Sequence, residues 1–185
     1  MKKLLLLICF IFLQQLVQAR IEVVPIDAER NAVKHNNLGV LYMQDRYYYP
    51  AIKEFQMAVM LNPDSQAAAV YYANLANCYM KIGYPALAQD TLQRAIKLNP
   101  MNLTYYEDLA VVFGRLKILD QKLKFYQKNS AKNPLSLVMV GMILMEQGKH
   151  QAGLSKLQEF ADTEPDLIIT KGVKDYVNKR TKERF

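Results

Sequence analysis

The phrase Asn36-Asn37-Leu38-Gly39-Val40-Leu41-Tyr42 returns 37 residues later as Ala73-Asn74-Leu75-Ala76-Asn77-Cys78-Tyr79. No other feature of the chain limits its possible folds so strongly. Extended in both directions, the match covers His35, Leu38, Gly39, Tyr42, Ala51, Phe55, Ala58 and Pro63 in the first copy. The second has Tyr72, Leu75, Ala76, Tyr79, Ala88, Leu92, Ala95 and Pro100 at identical spacings. Leu38, Gly39 and Tyr42 fall on one face of a helix, and Ala51, Phe55 and Ala58 on one face of the next, because residues three and four apart stack. Small Gly39 and Ala51 let two antiparallel helices approach closely, with Phe55 and Tyr42 filling the space beside the contact. Pro50 and Pro85 stand at the start of each second helix, where a missing N–H costs nothing. Pro63 and Pro100 stop those helices. No strand-type alternation of useful length competes.

The same pattern continues more loosely. Tyr106, Leu109, Ala110, Phe113, Tyr126 and Pro134 fit a third copy, although Lys122 stands where a small residue belongs. Val140, Gly141, Leu144, Gly153, Leu157 and Pro165 fit a fourth, with Gly148 at the turn between its helices. The pattern resembles the tetratricopeptide repeat family, whose period is 34 residues. The departures are the lack of Trp, with His35 and Tyr72 in the large-residue place, and three extra residues (66–68) opening the second unit. The resemblance implies an all-α array of about four antiparallel helix pairs in a right-handed superhelix, closed by a C-terminal capping helix. Expected bounds are an N-terminal lead over 20–31, repeats over 32–165 (about 32–65, 69–102, 103–134 and 135–165), and a C-terminal helix with basic tail over 166–185. Arg20 to Ile26 read as an extended lead and Asp27 as the N-cap of the first helix. Leu167, Ile168, Val173 and Val177 are expected to lie against the last pair, leaving the basic end in water.

Residues 1–19 stand apart. Lys2 and Lys3 precede an apolar run from Leu4 to Leu13, and Val17-Gln18-Ala19 has the spacing of a signal-peptidase site. The run is about half the ~20 residues that a membrane-spanning helix needs. The expectation is a cleaved signal peptide and an exported protein of the periplasm or cell envelope, with secretion as the alternative. A retained membrane anchor is the second reading of this segment. Cleavage removes Lys2 and Lys3, taking the formal charge from +7 to +5, and leaves Cys78 as the sole cysteine. One cysteine excludes an internal disulfide, and Cys78 reads as a small core residue.

Little in the sequence carries chemistry. There is no Gly-rich phosphate loop, and the two histidines, His35 and His150, sit in different units without metal-ligand neighbours. His35 reads as a packed core residue and His150 as a helix cap or a solvent-facing residue. No Ser-His-Asp or Cys-His set has sensible spacing. The expectation is no enzyme: no catalytic residue, no metal and no cofactor. The basic residues are dispersed except at Lys171, Lys174, Lys179, Arg180, Lys182 and Arg184. In an exported protein no nucleic acid is expected, and the cluster reads as a solvated helix end, with a weak contact to an anionic membrane surface or an acidic partner as the alternative.

The site is therefore expected to be a surface. The family resemblance implies that the first helices of successive pairs line a concave groove for a peptide or partner helix. Groove-facing places are Val33, Asn36, Val40 and Met43, then Val70, Ala73, Asn77 and Met80, then Thr104, Glu107 and Val111. Some family members grip a terminal carboxylate with Lys, Asn and Arg. Here Asn36, Val40, Asn74, Thr104 and Asp108 hold those places, and only Asn74 suits the role. The segment Leu135–Glu146 is apolar almost all round, including Leu135, Val138, Met142 and Met145 on its groove side. A helix apolar on every side is buried on every side, and the C-terminal helix is the first expectation for its cover. The functional reading is a non-catalytic adaptor or assembly factor with a protein or peptide partner. The alternative is a structural protein that self-associates through its exposed repeat faces, such as Met142 and Leu167. An enzyme or enzyme subunit ranks third.

Overall fold

The structure, a computed structural model, describes residues 27–183. The expected leader, the lead up to Ile26, and Arg184 lie outside the described residues. Among the described residues the chain forms nine helices and no strand: α1 Ala28–Gln44, α2 Tyr48–Leu61, α3 Ala68–Lys81, α4 Pro85–Leu98, α5 Leu103–Arg115, α6 Leu119–Asn129, α7 Leu135–Glu146, α8 His150–Thr163 and α9 Ile168–Lys182. Asp27 caps α1 as expected, its carboxylate accepting the Arg30 N–H at 2.9 Å.

Four identical turns fix the register of the array. Seven residues after the small residues Gly39, Ala76, Ala110 and Gly141, the backbone turns left-handed at Arg46 (φ 64°), Gly83 (φ 83°), Lys117 (φ 60°) and Gly148 (φ 76°). In each turn the next N–H returns to the carbonyl five residues back: Tyr47 to Tyr42 (2.8 Å), Tyr84 to Tyr79 (2.9 Å), Ile118 to Phe113 (3.0 Å) and Lys149 to Leu144 (2.9 Å). Glycine adopts this conformation freely, whereas Arg46 and Lys117 place a Cβ against the backbone at a cost of about 1–2 kcal/mol.

Inside each pair the small residue faces a bulky one sixteen positions on. A Cβ added to Gly39 would lie 2.7 Å from the Phe55 ring, and one added to Gly141 would lie 2.6 Å from Leu157. In the second unit Ala76 and Leu92 belong to one buried cluster, so a slightly larger residue faces a slightly smaller one. The extra residues of the second unit divide between a longer connection over 62–67 and an earlier start to α3, where Ala68 and Ala69 are buried.

Three expectations about packing are corrected. Leu38 is 39% exposed although its counterpart Leu75 is buried. Leu75 packs into a cluster with Ala51, Ile52 and Phe55 of the preceding pair, and among the described residues no pair precedes Leu38. His35 is not a core residue: it is half-buried, with Nδ1 2.6 Å from Glu54 Oε2, and ties α1 to α2 through a polar contact. Ile168 is 82% exposed, and Ile169 is buried in its place beside Val173 and Val177.

The third pair is splayed. Lys122 occupies the small-residue place, its ammonium 5.2 Å from the Phe113 ring centre. A side chain of that length holds α6 off α5, so α6 buries no residue fully and packs chiefly on α7. In turn α7 slides against α5. Val138, Met139, Met142 and Ile143 are all buried, enclosed by α5, α6 and α8 rather than by the C-terminal helix. The expected groove face of the fourth unit is therefore core, and Met142 is no exposed end. Helix α9 packs on α8 and reaches across to α5.

Candidate partner-binding groove

The first helices α1, α3 and α5 carry the candidate surface. Asn74 Nδ2 donates to Asn36 Oδ1 at 3.0 Å, joining α1 to α3 along that surface. Between α3 and α5 lies a cavity of about 240 Å³, lined by Asn77, Met80, Lys81, Asp108, Val111 and Arg115 over a floor of Ala76, Leu92 and Val112. Three residues expected to face the groove, Asn77, Met80 and Val111, thus meet in one depression. Asn77 is exposed and Val111 is 37% exposed, while Met80 is half-buried and packs on the core.

The other candidates are distributed unevenly. Val33 and Val70 are exposed on the outer ends of α1 and α3. Val40 and Met43 are half-buried and pack against the first-pair cluster, so their main role is filling space. Ala73 packs the same way between pairs. Thr104 is exposed, and its N–H is capped by Asn102 Oδ1 at 3.0 Å.

Glu107 does not face an open groove. Arg180 of α9 lies 3.6 Å from it, and the Arg180 guanidinium sits 5.2 Å from the Tyr176 ring centre. The basic tail is thus partly engaged with the fold rather than left in water. Ile169, Val173 and Val177 hold α9 down, and the Thr170 hydroxyl donates to the Glu164 carbonyl. A second cavity of about 330 Å³ remains beneath α9, bounded by Glu107, Val111, Met145, Glu146, His150 and Arg180. The chain's own C-terminal helix therefore ends the groove at the third unit.

Asp108 acquires a role that its sequence position did not reveal. It is half-buried in the α3–α5 cavity and makes no hydrogen bond or ion pair with the described residues. Removal from water pushes its carboxyl up to about 6, and the neighbouring charge of Glu107 adds to the shift. Burial likewise pushes the Cys78 thiol up to about 11, which makes it a poor nucleophile. Among the described residues no group of three or more His, Cys, Asp or Glu side chains is placed to hold a metal ion.

Stacked antiparallel helix pairs, with their first helices side by side, define a helical-repeat protein. Residues 69–102 match the sequence profile of the tetratricopeptide repeat, which supports the resemblance at the second unit. Among solved structures the chain is similar to MamA, at 24% identity over 78% of this chain and 84% of that one, with a TM-score of 0.50. It is also similar to the second TPR domain of human RPAP3, solved in complex with the HSP70 peptide SGPTIEEVD. That match has 17% identity over 63% of this chain and 97% of that one, with a TM-score of 0.50. At these identities the likeness shows the fold alone. No curated protein matches the chain.

Proposed function

We propose that the protein is a non-catalytic, exported binding module that seats a peptide or partner helix on α1, α3 and α5. The observation that carries this reading is the meeting of Asn77, Met80 and Val111 around one depression whose floor is apolar. A surface that combines an apolar floor, the Asn77 amide and the charged side chains of Lys81, Asp108 and Arg115 suits recognition of a chain segment. That the similar RPAP3 domain holds a peptide agrees with this reading. Export rests on residues 1–19 alone. N-terminal sequencing of the native protein should begin at Arg20 in an extracytoplasmic fraction, and intact Met1–Ala19 on the functional protein would end the export reading.

The test of the groove is affinity capture from the native envelope, comparing the protein with a variant carrying Asn77→Glu and Val111→Glu. Both side chains reach solvent, so the variant should keep its helical circular-dichroism spectrum while losing the captured partner, because charge enters a contact that is otherwise desolvated. Met80 is a poorer target because it also packs on the core. Equal capture by the folded variant would refute the groove. Self-association has lost its expected surface at Met142; exposed apolar side chains concentrate instead on the first pair, at Leu38, Leu41 and Tyr49. Light scattering on Leu41→Glu separates that reading: a parent oligomer that becomes monomeric in this variant favours self-assembly.

A further inference from the structure

Asp108 is the unusual group of the groove. A carboxylate half removed from water needs a compensating donor or cation, and the described residues give it neither. From α3 it is faced by Asn77 and Lys81, from α5 by Tyr105, Glu107 and Arg115, and from α4 by apolar Leu92. Lys81 and Arg115 line the same cavity yet form no ion pair with it. Met80 and Val111, which line the same cavity over the floor of Ala76, Leu92 and Val112, are apolar. The cavity, about 240 Å³, is smaller than a typical small-molecule pocket and suits one long side chain.

From this arrangement we infer that the α3–α5 cavity seats a lysine or arginine side chain of the partner segment, with Asp108 receiving its charge. Met80 and Val111 cover the methylene stem, as long basic side chains lie along apolar surface with their charged heads at a polar group. Asn77, at the exposed edge, is placed to bond the partner backbone. Lys81 and Arg115 bias the flanking partner residues toward acidic or neutral types, so the cavity reads one buried basic residue rather than a basic tract. An acidic side chain in the cavity itself is disfavoured, since its carboxylate would meet Asp108.

The inference rests on the groove reading, and the test separates the two. Short alanine-leucine peptides, identical except for a central Lys, Arg, norleucine or Glu, are titrated into the ¹³C,¹⁵N-labelled protein, followed by amide shifts and by the Asp108 carboxyl carbon. The peptide SGPTIEEVD serves as an acidic control. The Lys and Arg peptides should bind about tenfold more tightly than the norleucine peptide, the gain of a charge-assisted hydrogen bond. They should also lower the pH at which the Asp108 carboxyl titrates, and their advantage should fade as pH falls and that carboxyl protonates. In Asp108→Asn the advantage should vanish while norleucine binding persists. If all peptides shift the groove amides equally, the cavity does not read charge, although the groove stands. If SGPTIEEVD binds best, or if Asp108 pairs with Lys81 or Arg115 rather than with the added Lys peptide, the inference is overturned. If no peptide moves any groove amide, both readings fail.

Discussion

The contact of Gly39 with Phe55 offers a quantitative check on the repeat. A Cβ at position 39 would lie 2.7 Å from Phe55 Cε1, whereas ordinary contact begins at 3.4 Å. The ring would have to retreat by the difference, about 0.7 Å, and Phe55 is fully buried. Overpacking of this kind costs about 1–3 kcal/mol. Replacing glycine with alanine inside a helix returns about 1 kcal/mol. Gly39→Ala should therefore destabilise by about 0–2 kcal/mol, and Gly39→Leu by more. Phe55→Leu alone leaves a void and should cost about 1–2 kcal/mol, less than full truncation of a buried Phe. The second unit already contains the combination Ala76 with Leu92 in one buried cluster. The double variant Gly39→Ala/Phe55→Leu should accordingly be more stable than the two single losses predict, by about 1–2 kcal/mol. At this chain length 1 kcal/mol moves the melting temperature by roughly 2–4 °C. Thermal and urea unfolding followed by circular dichroism on all four proteins measures the coupling. Strict additivity, within about 0.5 kcal/mol, would refute the claim that these two side chains share one space.

Three further expectations follow from the same geometry. Arg46→Gly and Lys117→Gly relieve a left-handed residue worth about 1–2 kcal/mol and return part of it as unfolded-state entropy, so each should stabilise the fold by a net ~0.5–1 kcal/mol and raise the melting temperature; unchanged or lower melting would contradict the turn assignment. Because the folded-state carboxyl of Asp108 is raised from 3.8 to about 6, its charged form opposes folding, so its stability contribution is complete below pH 3.8 and lost as pH rises past 6. Asp108→Asn should then stabilise the protein by about 1 kcal/mol at pH 8, after allowance for the water that reaches the side chain, and by nearly nothing at pH 3.5. Arg180→Ala should barely shift the melting temperature, as exposed ion pairs contribute about 0–1 kcal/mol, yet hydrogen exchange in the last turns of α9 should quicken; Val173→Asp, at a fully buried site, should detach α9 or unfold the protein.

Where local spacing determined the structure, the sequence was a good guide. Ala76, Ala88 and Leu92 have fixed partners within one helix pair, so periodicity and residue size located them. The proline stops and the Asp27 cap were legible for the same reason. The left-handed turns at Arg46 and Lys117 were not, because glycine marks this turn in only two of four units. Lys122 signalled trouble in the third unit, but its consequence, the sliding of α7 against α5, depends on what fills the gap. The all-apolar segment Leu135–Glu146 announced burial without naming its neighbours. Asp108 was visible only as a poor match to a carboxylate clamp. Its partial burial depends on how α3 and α5, residues 68–81 and 103–115, are placed across the cavity, and spacing along one helix does not reveal that.

The splayed third pair changes how the array comes apart. In an ideal stack each helix touches only its neighbours, and losing an inner element severs the column into two. Here α5 and α7 meet directly, bypassing α6, and a cavity of about 270 Å³ bounded by Tyr106, Tyr126 and Met139 already lies alongside. Helix α6 is thus a detachable bracket on a continuous beam. It should open at a small fraction of the global unfolding free energy, exchange its amide hydrogens first among the inner helices, and accept insertions that the other inner helices would not.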